Sequence, residues 1–366
     1  MEPFLAENYG NPSSIYRLAQ QARSALDSAR DTVAGCLGAK PGEIVFTSGG
    51  TESNNAAIKG AAFARREAGR HIVTTQIEHH AVLHPIEELT ERFGFESTPV
   101  PAGSDGIVDA ADIERAIRDD TILVSVMWAN NEIGTIQPVE RMARIAHERG
   151  LAFHVDAVQA AGSLDIDLSS TPIDLLSISA HKFYGPKGVG ALFVRSGTLW
   201  WPLLTGGGQE RNRRAGTENV AGIVGTAKAL ELAASERKET NARVRGLRDS
   251  LLHEIMTRIP DTVVNGDLDF RLAGNINVSF KGVHGESVLV ALDLAGIMAS
   301  SGSACTSGSL EPSHVLLGLG LPDSLAQGSL RLTVGKENTR AEVSRTVDVL
   351  EGIVSRLRSL APAPAI

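Results

Sequence analysis

The chain has 366 residues, 42% hydrophobic and 21% charged, enough to bury a sizeable core and too apolar for intrinsic disorder. Its 35 basic and 43 acidic residues leave a net charge of −8, which disfavours a nucleic-acid partner. No stretch reaches the roughly 18 consecutive apolar residues of a membrane helix. The start, Met1-Glu2-Pro3-Phe4-Leu5, has no basic n-region. Two cysteines, Cys36 and Cys305, are too few for a disulfide framework or an ordinary zinc site and point to the reducing cytoplasm.

Residues 13–34 carry apolar positions at helical spacing behind Ser13 and Ser14, which predicts a helix. The pattern then alternates. Strands are predicted at 43–47 and 71–75, with helices at 52–68 and 81–93, the latter with Pro85 in its first turn. A helix at 109–118, a buried strand at 121–127 and a helix at 139–149 follow, then strands at 152–156, 174–179 and 189–194. Short apolar runs separated by helices predict βαβ units and an α/β fold with a mostly parallel sheet. Residues 220–258 read as one long helix. Past Pro260, runs at 275–280, 285–295, 297–300, 329–334 and 341–360 predict a smaller α+β unit. The expected division is a large domain over 1–237 and a small one over 238–366, with a frayed tail from 361.

Three runs carry chemistry. Thr47-Ser48-Gly49-Gly50-Thr51-Glu52-Ser53-Asn54 follows a strand and opens a helix, so its free N–H groups can receive a phosphate. It reads equally as a capped turn, and it has neither the Walker A nor the GxGxxG spacing. His154-Val155-Asp156 ends a strand, where an aspartate points into the crevice that binds ligands in open α/β sheets. An ordinary N-cap has the same appearance. Ser179-Ala180-His181-Lys182 follows another strand, where a lysine can lose its proton and bond a carbonyl carbon, although most lysines in turns are surface groups. His80 and His84 have a metal-capable spacing, but no third ligand accompanies them, and no metal site is expected.

Taken together, a phosphate cup, then a strand-end aspartate, then a lysine form the order of a pyridoxal 5'-phosphate enzyme. The run around Lys182, Asn130-Asn131-Glu132-Ile133-Gly134, Glu78-His79-His80-Ala81-Val82 and Ser300-Ser301-Gly302-Ser303-Ala304-Cys305-Thr306-Ser307 resemble those of the cysteine desulfurases. These are fold-type I relatives of the class V aminotransferases, and the resemblance runs from about Asn8 to Leu360. It implies that Lys182 holds the cofactor covalently, that Asp156 pairs with the pyridine nitrogen and that His79 stacks on the ring. Gln159 would bond the ring oxygen, and Gly50, Thr51, Ser179 and His181 the phosphate. Thr217 would reach the phosphate of a second subunit in a homodimer. Asn131 and Arg331 would hold the carboxylate of the substrate, L-cysteine.

Cys305 sits among small residues that cannot pack a core, which predicts a loop able to move. The resemblance gives its thiolate the role of taking sulfur from the substrate and passing the persulfide to an acceptor protein. Cys36, in a helical stretch, reads as a small buried hydrophobe. The rivals are a selenocysteine lyase, another class V enzyme, or a catalytically weak relative acting as a sulfur-assembly partner. One departure stands out: the family's Tyr-Leu-Asp-Asn-Ala-Ala-Thr-Thr-Pro segment, ahead of the part matching Asn8–Pro12, is not found here. Its loss is expected to open the substrate side to water and weaken turnover.

Overall fold

The computed structural model describes residues 1–301 and 311–360. Its contacts divide the chain into two units: 1–100, 109–128 and 138–237 form the first, and 101–108, 129–137 and 238–366 the second. The division falls inside a 39-residue helix, Val220–Arg258.

The first unit holds a seven-stranded sheet. Its strands are β1 (Ile44–Thr47), β2 (His71–Thr75), β3 (Glu96–Val100), β4 (Thr121–Met127), β5 (Ala152–Asp156), β6 (Leu175–Ser179) and β7 (Gly190–Val194), in the order β1-β7-β6-β5-β4-β2-β3. β7 runs antiparallel to both its neighbours, and the other pairs are parallel. The carboxyl ends of β1 to β6 therefore lie along one edge of the sheet. β4 (TILVSVM) and β5 (AFHVD) are buried along their whole length, as a sheet covered on both faces requires. The helix Gly50–Arg65 lays Ala57, Ile58, Ala61 and Ala62 onto Val45, Leu123, Leu175 and Leu192 of the sheet. Its small residues let helix and strand backbones come close.

β3 was not foreseen. Its sequence, ESTPV, buries only Val100 and contains Pro99, so it shows no apolar run. Proline is tolerated there because β3 is the edge strand and pairs only with β2.

The second unit has a three-stranded antiparallel sheet of β8 (Thr262–Val264), β9 (Asn275–Phe280) and β10 (Ser329–Thr333), in the order β10-β9-β8. Ile276, Val278 and Phe280 of β9 pack with Leu251 and Ile255 of the long helix. Val347, Leu350 and Val354 of the helix Arg340–Leu360 join them. Residues 297–300 form no strand; Ser300 alone bridges to Arg331. Two short helices, His314–Gly318 and Asp323–Gln327, were also not foreseen, since five residues are too few to show a period.

Candidate active site

The first unit gathers its polar groups at the carboxyl edge of the sheet. After β1 the chain turns through Gly49, whose φ of 149° lies where only glycine is comfortable. A helix then opens at Gly50 with no side-chain cap, leaving its first N–H groups free of intrahelical partners. A Cβ on Gly190 of β7 would stand 2.7 Å from the Cα of Gly49, so the turn can sit on the sheet only because Gly190 lacks a side chain. Ser179, the last residue of β6, faces Gly49. Its Oγ lies 3.0 Å from His181 Nδ1. Burial and the charges of Lys182 and Lys187 push the His181 imidazole below its usual range, favouring the neutral ring.

Asp156 ends β5 and is buried. One carboxyl oxygen accepts the N–H of Val158 at 2.9 Å and the other Asn54 Nδ2 at 2.7 Å. Burial raises its pKa; those two hydrogen bonds and the charge of Lys182 work the other way. Lys182 lies in a short 3₁₀ turn, Ala180–Phe183, after β6, and is exposed. The turn is closed by Tyr184, at φ 64°, and by the Gly185 N–H donating to the Ala180 carbonyl. Gln159 stands half-buried shortly past Asp156.

His79 caps the helix His80–Phe93, its Nδ1 accepting the N–H of Ala81 at 3.0 Å. An accepting Nδ1 leaves the ring proton on Nε2 and fixes the ring's direction. The preceding residue, Glu78, is fully buried. Its Oε1 accepts from Thr75 Oγ1 at 2.7 Å and from the Met127 N–H at 2.8 Å, tying the ends of β2 and β4. Burial pushes its carboxyl up to about 8. Thr51 and Thr217 are exposed. Nearby Arg214 forms a two-pronged ion pair with Glu52 in the cup helix.

Asn131 and Arg331 fall in the second unit. Arg331 Nη1 donates to the Asn131 carbonyl at 2.8 Å, so these two residues, distant in sequence, are adjacent. Cys305 lies outside the described residues. Asn54, Glu78 and Arg214 join the site without a signal of their own in the motifs. The position of Asn54 alone is legible, since it lies a helical turn after Gly50 and so on the same side of the helix.

These residues fit pyridoxal phosphate. The glycine cradle with free N–H groups suits a phosphate, and a buried carboxylate with two donors suits a protonated ring nitrogen. Comparison with known proteins agrees. The Aminotransferase class-V family matches residues 1–346. A cysteine desulfurase IscS of Dictyoglomus turgidum is 53% identical over 362 residues, covering 99% of this chain and 92% of its own.

The chain belongs to the aminotransferase class-V family, among its cysteine desulfurases.

Solved structures agree. A NifS-like protein superposes with a TM-score of 0.91 at 39% identity, over 97% of this chain and 94% of its own. SspA in complex with cysteine gives 0.81 at 37%, over 92% and 94%. The architecture of this class-V enzyme is fold-type I, and its cofactor is pyridoxal phosphate.

Proposed function

We propose that this desulfurase converts L-cysteine to L-alanine and leaves the sulfur as a persulfide on Cys305. The observation that carries the reading is the buried Asp156 and the exposed Lys182 at the ends of adjacent strands, beside an uncapped glycine cup. Bound there, pyridoxal phosphate supplies a sink for the electron pair left when the substrate Cα loses its proton. Asp156 holds the proton on the ring nitrogen. Lys182 anchors the cofactor and, once released, its Nζ takes the Cα proton. His79 covers one ring face and Gln159 bonds the ring oxygen. Gly50, Thr51, Ser179 and His181 hold the phosphate, and Arg331 and Asn131 the substrate carboxylate; a guanidinium fork suits a carboxylate.

Cys305 supplies the thiolate. It attacks the substrate sulfur, an S–S bond forms and the substrate C–S bond breaks. The substrate Cβ takes up a proton and becomes the methyl of alanine. Thiol and cysteine thus give persulfide and alanine with no external oxidant. An acceptor protein then takes the sulfur.

We further propose a cytoplasmic homodimer. Leu199, Trp201, Leu203 and Leu204 are exposed together in the segment leading to Thr217, which favours a second copy over solvent. No helix among the described residues is long and apolar enough to cross a membrane.

The test is Cys305→Ser. It should bind cofactor and cysteine, seen as a change in visible absorbance, yet form no protein persulfide by alkylation and mass spectrometry. Persulfide on Cys36 in that variant would overturn the assignment.

A further inference from the structure

Glu132 is a buried carboxyl that the chemistry above leaves unused. Its backbone lies in the Asn130–Gly134 turn, which is closed internally. The side-chain oxygen of Asn130 accepts the N–H groups of Glu132 and Ile133 at 2.8 and 3.0 Å, and the Gly134 N–H donates to the Asn130 carbonyl. Gly134 has φ 76° and lies against Asn275, so that a Cβ there would stand 2.6 Å from the Asn275 side chain. From β9, Asn275 and Asn277 both donate to the Glu132 carbonyl, at 3.2 and 3.1 Å.

The carboxyl itself reaches a different element. Ser313 Oγ lies 2.5 Å from Glu132 Oε2. That hydroxyl already accepts the N–H groups of Val315 and Leu316. Its one hydrogen is therefore free to go to Glu132, and the carboxyl is the acceptor. Burial raises the Glu132 carboxyl to about 7; the Ser313 hydrogen bond and the charge of Arg331, whose guanidinium bonds the preceding carbonyl of the turn, that of Asn131, work the other way.

We propose that Glu132 is a positioning residue for substrate-carboxylate recognition: held by Ser313, it fixes the turn that presents Asn131 and orients the Arg331 guanidinium. The inference rests on the reading that Asn131 and Arg331 bind that carboxylate. A loose turn would let Arg331 turn away, and the loss would fall on ligands with a carboxylate and spare those without one.

The experiment titrates the visible absorbance of the holoenzyme with L-alanine and with ethylamine, the same amine without the carboxylate. It compares wild type with Glu132→Ala, Glu132→Gln, Ser313→Ala and Arg331→Ala. Losing the buried Ser313–Glu132 hydrogen bond should weaken alanine binding about tenfold in Glu132→Ala and Ser313→Ala, with ethylamine unchanged. Glu132→Gln, which can still accept from Ser313, should stay within about twofold of wild type. In turnover the same pair should raise KM more than they lower kcat. Ser313→Ala probes the contact from the other side should Glu132→Ala fail to fold. If Arg331→Ala loses alanine selectively while Ser313→Ala and the folded Glu132 variants do not, or if alanine and ethylamine weaken together in them, the inference is overturned and the carboxylate reading stands. If Arg331→Ala shows no selective loss, the carboxylate reading falls and the inference with it.

Discussion

Asp156 and His154 stand two residues apart on the same face of β5, yet they serve different ends. His154 lies between Ser125 Oγ at 2.8 Å and Ser177 Oγ at 3.1 Å, and burial pushes its pKa down to about 3. It is a neutral link between three strands. Asp156, at the strand end, keeps two donors and a nearby lysine charge. Depth in the sheet thus decides which polar side chain can do chemistry. At Lys182 the expected outcome of Lys182→Ala is a folded protein whose cofactor washes out on dialysis and leaves no borohydride-reducible adduct. A surviving adduct would place the covalent link on another lysine. Glu78 gives a pH prediction. Its carboxyl titrates near 8 in the fold and near its ordinary value, about 4.3, when unfolded. Between those values only the folded protein holds the proton, so stability is lost as pH rises through that window. Glu78→Gln has no such proton to lose. The melting temperature of cofactor-free Glu78→Gln relative to wild type should therefore rise from pH 5 to pH 8. A difference that stays flat with pH would show that Glu78 is ionised in the fold.

Among the described elements, the segment between β7 and the long helix carries the longest run of left-handed non-glycine backbone. Glu210, Arg211 and Asn212 have φ of 45°, 58° and 63°, three successive non-glycine residues in the left-handed region, each costing on the order of 1 kcal/mol. One buried ion pair holds them. Arg30 Nη1 and Nη2 each reach a Glu210 oxygen at 2.7 Å, and the Phe46 N–H adds a third bond at 2.9 Å. Arg30 comes from the helix Arg17–Leu37 and Phe46 from β1. The strained turn is thereby pinned to the strand that leads into the cup. Removing one partner of a buried pair leaves the other charge uncompensated, at about 3–5 kcal/mol. Arg30→Met should lose that much in chemical denaturation. Arg30→Met with Glu210→Gln should recover part of it, since the buried charge is then gone. A loss below about 1 kcal/mol in the single variant would place the pair in solvent-like surroundings.

For the whole molecule, the exposed apolar run around Trp201 bears on assembly. Trp201→Asp puts a charge where a second copy would bury a ring. Sedimentation should then show monomer for the variant and dimer for wild type. If Thr217 of one copy serves the phosphate of the other, the monomer should also bind pyridoxal phosphate more weakly. A Trp201→Asp protein that remains dimeric would move the interface elsewhere.

The local parts of this architecture are legible in the sequence itself. Apolar runs such as TILVSVM and AFHVD and the helical spacing between them depend only on neighbours a few residues away, so periodicity suffices to read them. The order of cup, Asp156 and Lys182 was legible for the same reason, because each is a strand end followed by a turn. β3 escaped because an edge strand buries too little to need an apolar run. The contacts that finish the site escaped because nothing in the linear pattern announces them. Ser313 meets Glu132 across 181 residues, and Asn54 meets Asp156 across 102. Each buried polar group must find a partner wherever packing places one, and that choice belongs to the tertiary structure alone.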